Sequence, residues 1–330
     1  MRNLLLGALA LAAALSAQPR ITAVGNGADF ANVAAPGSLA TVFGTGLAAS
    51  TASAASLPFP TTLNGVSISV GGRAARINYV SATQVNFQIP YGAPAGSANV
   101  TLTNGTQSSN AFALTIAPTV PAVFQYGANR GVVQNQDSSL NTALNPASSG
   151  SVIIAYLTGI GLTAPAVPDG DAAPGGPLAI PPGRATAAVG GVLADVLFLG
   201  LTPGNVGLAQ ANIRVPLVAT GDHPLTIQLG GRTSRPVQIS VRGSAQPGGP
   251  LPEGVTCISG PVDYVVQSKQ NFGRADEVSI GGTRLCAPCP LKPPVYVNFA
   301  EKLESAREDG LEVDVCHDDI GTINYVRMRR

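Results

Sequence analysis

Apolar and polar residues alternate in short stretches along most of this 330-residue chain. The period is two in Val66–Val70, Val85–Ile89 and Ala98–Leu102, which is the pattern of strands with one buried face. Glycine-containing pairs separate these stretches, and Asn104-Gly105 predicts a hairpin turn. Helical periodicity of useful length is absent from residues 19–242. This part of the chain is therefore predicted to be all β.

The strand pattern occurs twice. Gly37–Leu47 matches Gly150–Ile160, and Gln84–Pro90 matches Gln210–Pro216. The offset between the copies changes only between matched blocks, where the second copy has a longer Pro/Gly loop at Pro165–Pro182. Length differences confined to loops are typical of two copies of one fold.

Each copy has the size of an immunoglobulin-like β-sandwich, with about seven short strands in ~100 residues. We predict tandem sandwiches over residues 19–117 and 118–242. The chain has no Trp and no Cys before Cys257, so it lacks the Cys-Trp-Cys signature of true immunoglobulin domains. The prediction therefore concerns architecture alone.

Residues 1–17 have the pattern of a secretory signal peptide. A short positive start at Met1-Arg2-Asn3 precedes the apolar run Leu4–Leu15, and Ser16-Ala17 offers small residues for cleavage. The run is shorter than the ~20 apolar residues that a membrane-spanning helix needs. We expect a secreted or cell-surface protein with no transmembrane segment in the mature chain.

Charge is distributed unevenly. Residues 1–250 contain Arg and Asp but no Lys or Glu, whereas residues 251–330 contain all four cysteines and more than half of the charged side chains. A Pro/Gly-rich linker is predicted over 243–254. A small α+β module with one helix at 300–309 is predicted within 255–330. The formal net charge of +1 excludes a nucleic-acid binder that acts by neutralising phosphates.

Several motifs carry a family resemblance. They are Phe43-Gly44-Thr45-Gly46-Leu47, the Gln84–Pro90 block, Asn145-Pro146-Ala147 and Thr158-Gly159-Ile160-Gly161-Leu162. Together they resemble the Solibacter-type uncharacterised C-terminal domain family of secreted acidobacterial proteins, over residues 20–242. The resemblance implies a secreted β protein and supplies no catalytic residues. In that family the domain usually ends the protein, whereas here a Cys-containing segment follows.

The cysteines allow three interpretations. Behind a signal peptide, Cys257, Cys286, Cys289 and Cys316 predict disulfides. We favour Cys257 paired with Cys286 or Cys289, and the remaining one of these with Cys316. A zinc site formed by Cys286, Cys289, Cys316 and His317 is the first alternative. A redox-active CxxC is the second.

Two further patterns are candidates for binding. Gln84 and Asn86 share one strand face, as do Gln210 and Asn212 in the second copy. Such amides either fix the strand through hydrogen bonds or face a glycan or peptide ligand. Asp169 and Asp171, in the long loop of the second copy, are a weaker candidate for calcium, which takes 6–8 oxygen ligands.

The chain shows no catalytic constellation and no motif for a cofactor. We therefore expect a non-catalytic structural or adhesion protein that binds an extracellular polysaccharide or envelope protein and needs no cofactor. An extracellular hydrolase or carbohydrate-active protein with chemistry in the C-terminal module, around Asp314, His317, Asp318 and Asp319, stays open as an alternative. A zinc-binding C-terminal module is another.

Overall fold

The computed structural model describes residues 18–243 in full. Beyond them it describes the backbone of strands at 255–267, 275–280, 283–286, 312–318 and 323–329. Residues 18–243 contain strands, turns and bends but no helix, which confirms the all-β prediction there. No helix of bilayer-spanning length and hydropathy occurs among the described residues.

The chain divides into two compact units. The first contains both predicted repeats up to Val241, apart from residues 148–150 and 217–220, which group with the second unit. We call residues 19–117 the first repeat and 118–242 the second repeat.

The first repeat consists of two sheets that enclose one core. Its strands are β1 (Arg20–Asn26), β2 (Val33–Ala34), β3 (Leu39–Thr45), β4 (Ala52–Ser53), β5 (Thr62–Leu63), β6 (Val66–Val70), β7 (Arg73–Ala74), β8 (Arg76–Val80), β9 (Gln84–Gln88), β10 (Gly96–Asn104), β11 (Gln107–Ser108) and β12 (Phe112–Ile116). One sheet has the order β1-β3-β9-β8-β4, and the other has the order β2-β12-β10-β6-β5, with β11 beside β10 and β7 beside β6. Side chains of both sheets, including Phe87, Ile77 and Leu114, form a single buried cluster.

The predicted alternation explains this packing. Val66, Ile68 and Val70 of β6 are buried and the serines between them are not. Full burial of such side chains stabilises the fold by ~1.5–3 kcal/mol each. Seven of the twelve strands in residues 18–117 have five or more residues, which agrees with the predicted number. The other five strands have two residues each, and strands this short cannot be predicted from an alternating pattern.

The second repeat has one continuous twelve-stranded hydrogen-bonded network. Its strands are β13 (Ala122–Val123), β14 (Gln125–Tyr126), β15 (Arg130–Gly131), β16 (Val133–Gln134), β17 (Ala147–Ser148), β18 (Val152–Thr158), β19 (Thr186–Val189), β20 (Val192–Leu201), β21 (Ala209–Arg214), β22 (Gly221–Leu229), β23 (Arg232–Thr233) and β24 (Val237–Arg242). The order is β13-β18-β21-β20-β19-β22-β24-β15-β14, with β16, β17 and β23 off this path. The long strand β20 joins the two halves, because its start pairs with β19 and its remainder pairs with β21, with a bulge at Val196/Phe198.

The C-terminal strands form an antiparallel sheet with the order β27-β26-β25-β28-β29. Their bounds are β25 (Val255–Gln267), β26 (Ala275–Ile280), β27 (Thr283–Cys286), β28 (Glu312–Asp318) and β29 (Ile323–Arg329). The predicted signal peptide and helix at 300–309, and the predicted linker from residue 244 onward, lie outside the described residues.

Candidate functional site

The amides predicted to share a face do so. In the first repeat Gln84 Nε2 donates to Asn86 Oδ1 at 2.8 Å, and Thr41 Oγ1 donates to the same oxygen at 3.1 Å. On β9, Val85 lies between these two residues and Phe87 follows Asn86. Both apolar side chains are fully buried. The amides therefore lie on the outer face of the sheet, partly exposed.

The second repeat has the same arrangement. Gln210 Nε2 donates to Asn212 Oδ1 at 3.2 Å, and both side chains are partly exposed on the outer face of β21. Ala211 and Ile213 fill the core behind them. The two amide pairs therefore repeat in geometry as well as in sequence.

Each pair leaves hydrogen-bonding capacity unused. Within residues 18–243, Gln84 Oε1 and Asn86 Nδ2 have no partner, and neither have Gln210 Oε1 and Asn212 Nδ2. A side-chain amide can accept through its oxygen and donate twice through its nitrogen. Each face thus presents an unpartnered acceptor atom, the Gln oxygen, and an unpartnered donor atom, the Asn nitrogen, held in place by the bond within the pair.

An aromatic side chain adjoins each amide pair. Phe43 on β3 lies opposite Gln84, and Tyr156 on β18 lies opposite Gln210. Tyr156 also donates its hydroxyl to Gln134 Oε1 at 2.8 Å. We call each set an amide face: Phe43, Gln84 and Asn86 in the first repeat, and Tyr156, Gln210 and Asn212 in the second.

Sequence reasoning missed these aromatic neighbours, because which residues oppose each other depends on pairing register between distant strands. The match of Gly37–Leu47 with Gly150–Ile160 already aligned Phe43 with Tyr156 and was the available signal. A third aromatic residue, Phe30, contacts Phe43 with ring centroids 5.3 Å apart and an interplanar angle of 74°.

Asp169 and Gly170 dock the second repeat onto the first. Asp169 Oδ1 accepts a hydrogen bond from the Tyr91 backbone N–H at 2.8 Å. The backbone N–H of Gly170 donates to Gln88 Oε1 at 2.7 Å, and its carbonyl accepts from the N–H of Phe59 at 2.9 Å. The carboxylate considered for calcium is thus a contact between repeats, and no cluster of three or more metal-ligating side chains occurs in the fully described region.

Further contacts extend this junction, which we call the seam. The Leu39 N–H donates to Thr158 Oγ1 at 2.9 Å, and this hydroxyl donates to the Gly207 carbonyl at 2.9 Å. Arg235 Nε lies 3.5 Å from Asp29 Oδ2. A side chain at Gly170 would put its Cβ 3.0 Å from the Phe59 carbonyl oxygen, so the approach is close.

Burial at the seam shifts one titratable group. Desolvation, with a smaller contribution from the nearby Asp169 carboxylate, raises the pKa of Tyr91 to about 12. Burial disfavours the charged form of the phenol, so Tyr91 stays neutral at physiological pH and packs as part of the seam.

A polar cluster lies elsewhere in the second repeat. Asp222 accepts hydrogen bonds from Ser240 Oγ and from Arg130, the latter at 3.0 Å. The Ser240 hydroxyl, followed by Arg130, lowers the pKa of Asp222. Its carboxylate is therefore held ionised by two hydrogen-bond partners at a half-exposed position, which suits a structural contact better than proton transfer.

The other predicted site residues lie outside the description of side chains. They are Cys257, Cys286, Cys289, Cys316, His317, Asp314, Asp318 and Asp319. The backbone register of β25 and β28 places Cys257 opposite Cys316. The disulfide, zinc, redox and hydrolase interpretations stay predictions.

Residues 20–116 match the model of the IPT/TIG domain family. This family is immunoglobulin-like, and the matched residues coincide with the first repeat. No curated protein matches the chain.

Solved structures resemble the chain weakly. They include the γ-CGTase of alkalophilic Bacillus clarkii (13% identity, 69% of this chain, 27% of that one, TM-score 0.23). The SGBP-B protein of the Bacteroides ovatus mixed-linkage glucan utilization locus has 16% identity over 74% of this chain and 49% of that one, with a TM-score of 0.30. Domains 5–6 of the S-layer protein SbsC have 13% identity over 69% of this chain and 100% of that one, with a TM-score of 0.25. The chain spans less than two thirds of the first two, and likeness at this level says nothing about a shared ligand.

Proposed function

We propose that this chain is a non-catalytic, secreted or cell-surface binding protein whose tandem sandwiches carry the binding surface. The observation that supports this best is the recurrence of the amide face. In both repeats an aromatic side chain lies opposite a Gln whose amide oxygen is unpartnered within residues 18–243. A fixed acceptor and donor beside an apolar ring is a surface suited to an uncharged polar ligand.

The seam supports a binding role of the tandem as a whole. Asp169, Gly170 and Gln88 hold the repeats together through buried or partly buried hydrogen bonds. Holding two surfaces in fixed positions lowers the entropy lost when both engage one partner. The structure therefore suits a partner with many repeated units, such as a polysaccharide or an ordered envelope protein.

Two of the six Asp carboxylates of the tandem are already engaged by the protein, which supports a non-catalytic role. Asp222 is engaged by Arg130 and Ser240, and Asp169 by the Tyr91 backbone. A general acid or base must be free to exchange a proton with substrate. The signal-peptide pattern of residues 1–17 supports secretion, and membership of residues 20–242 in the Solibacter-type family is part of the same proposal.

Retention on isolated material tests the proposal. The purified chain from Gln18 to Arg330 is incubated with envelope fractions and a polysaccharide panel, beside a double variant Gln84→Ala/Gln210→Ala. We expect wild-type retention and a clear loss in the double variant. Gln228→Ala is the matched control, because Gln228 is an exposed glutamine on β22, away from both amide faces.

The outcome distinguishes the alternatives. Equal retention of wild type and double variant would move binding away from the amide faces, and no retention of the wild type on any material would contradict a binding role.

A further inference from the structure

Phe30 is an aromatic residue displayed at a strained position. Its side chain is 54% exposed, and its φ is 57°. Positive φ is uncommon for residues other than glycine, and it strains the backbone of a bulky residue. Phe30 is therefore an exposed aromatic residue whose backbone conformation the surrounding loop must hold.

The surrounding loop holds Phe30 in place. Asn26 is fully buried, and its Oδ1 accepts the backbone N–H groups of Ala28 and Asp29 at 3.0 Å each. Asp29 Oδ1 accepts the N–H of Ala31 at 3.0 Å. Gly25 on β1 lets the Phe30 backbone lie close to this strand, because a Cβ at this position would collide with the Phe30 carbonyl.

Phe30 extends the amide face of the first repeat. Its ring packs edge-on against Phe43 at 5.3 Å, and Phe43 lies opposite Gln84 on the next strand. Strands are ~4.8 Å apart, so the aromatic pair and the amide pair follow one another across the sheet. We call Phe30, Phe43, Gln84 and Asn86 the Phe30 patch.

We propose that the Phe30 patch binds a neutral polysaccharide chain, an inference that rests on the proposed function and names its ligand class. A sugar ring has an apolar C–H face that stacks on an aromatic ring and hydroxyls that bond amides. Gln84 Oε1 can accept from one hydroxyl and Asn86 Nδ2 can donate to another. A chain of linked rings can use the aromatic and the amide parts of the patch together.

Charge disfavours an ionic ligand. None of the four side chains is ionisable, and the neighbouring Asp29 carboxylate is occupied by Ala31 and Arg235. The patch offers no cation to bind a polyanion. It also offers no free carboxylate to bind a polycation.

Strand pairing disfavours a peptide strand. A peptide that adds to a sheet needs an open edge. The strands of the patch, β3 and β9, are interior, with β1 on one side and β8 on the other. Their backbone groups are occupied by neighbouring strands, which leaves side chains to make the contacts.

The test uses purified chain from Gln18 to Arg330 on immobilised β-1,4-glucan, α-1,4-glucan and β-1,4-xylan, with a polyuronate as the charged probe. Phe30→Asn removes the ring, and Asn tolerates positive φ, so the fold is favoured. We expect wild-type binding to a neutral polysaccharide and a loss on the order of tenfold in Phe30→Asn.

Two controls keep the test decisive. Phe30→Tyr preserves the ring and should bind within about twofold of wild type. Leu144→Asn removes an apolar side chain that is 99% exposed in the second repeat, and it should bind as wild type.

The results separate this inference from the proposed function. Equal binding by wild type and Phe30→Asn, or binding to the polyuronate alone, would overturn the inference. Retention on envelope fractions without retention on any neutral polysaccharide would also overturn it, while leaving the binding function in place.

Discussion

The two repeats have matching core positions and differ in the contacts that surround the core. Phe87 of the first repeat and Ile213 of the second occupy matching positions, both fully buried behind an amide pair. Thr158 is buried at the seam, whereas its counterpart Thr45 is exposed. The core thus repeats, while the ends of the two repeats make different contacts.

The difference divides the roles between the copies. The longer loop of the second repeat carries Asp169 and Gly170 onto the first repeat. The loop of the first repeat instead presents Phe30 beside its amide face. Loops on a rigid scaffold are where new contacts arise with the least disturbance of the core. The second copy therefore supplies the contact between the repeats, and the first presents the exposed aromatic residue.

The largest effects should come from the shared core. Phe87→Ala should destabilise the first repeat by ~3–5 kcal/mol and Ile213→Ala the second by ~2–5 kcal/mol, because each leaves a cavity. Denaturant unfolding followed by intrinsic tyrosine fluorescence measures both. A cost below ~1 kcal/mol at either position would contradict the matching core, since a well-packed site cannot lose so much volume so cheaply.

A substitution at the seam should have the next largest effect on stability, and this effect should distinguish the two repeats. Gln88, 1% exposed, bonds the Gly37 carbonyl and the Gly170 N–H. Gln88→Ala leaves buried partners unsatisfied and should cost ~1–3 kcal/mol. It should also increase proteolysis between the repeats.

The matched control for the seam is Arg214→Ala, at the corresponding position of the second repeat. Arg214 is half-exposed, so its replacement should change stability by less than ~0.5 kcal/mol. Equal effects at the two positions would mean that the seam does not depend on Gln88.

The strands and the amide pairs could be predicted from the sequence, whereas the seam and the position of Phe30 could not. Alternation in Val66–Val70 predicted the strand bounds as observed, because period and burial are local properties. The shared face of Gln84 and Asn86 followed for the same reason. The seam contact of Asp169 could not be foreseen, since it joins residues 78 positions apart. The display of Phe30 depends on a loop held by Asn26, which strand periodicity does not report.

Acid should affect the second repeat through Asp222. Its pKa is lowered in the folded state, first by the Ser240 hydroxyl and then by Arg130. The unfolded carboxyl titrates near ~3.9, so the contribution to stability is present above that pH and is lost as the pH falls through the folded value.

Melting temperatures measured from pH 6 to pH 2 check this sign. Asp222→Asn should reduce the acid-induced loss, and Ser240→Ala should do so in part. Part of the acid-induced loss of stability should persist in both variants, because the Ser139 side chain lowers the pKa of Asp137 as well. An unchanged acid profile in Asp222→Asn would refute the role of the cluster.

The amide faces should contribute least to stability. Gln84→Ala and Gln210→Ala each remove one partly exposed hydrogen bond, which should cost less than ~1 kcal/mol. Thermal unfolding of the two variants measures this. A cost above ~2 kcal/mol, more than one exposed hydrogen bond contributes, would mean that the pairs hold the strands rather than face a ligand.

The most direct test of binding at the Phe30 patch is retention of wild type and Phe30→Asn side by side on the immobilised neutral polysaccharides, at matched folded concentration. The account predicts that wild type is retained and that Phe30→Asn loses affinity on the order of tenfold, with Leu144→Asn retained as wild type. Equal retention of wild type and Phe30→Asn would contradict the account and place binding outside the Phe30 patch.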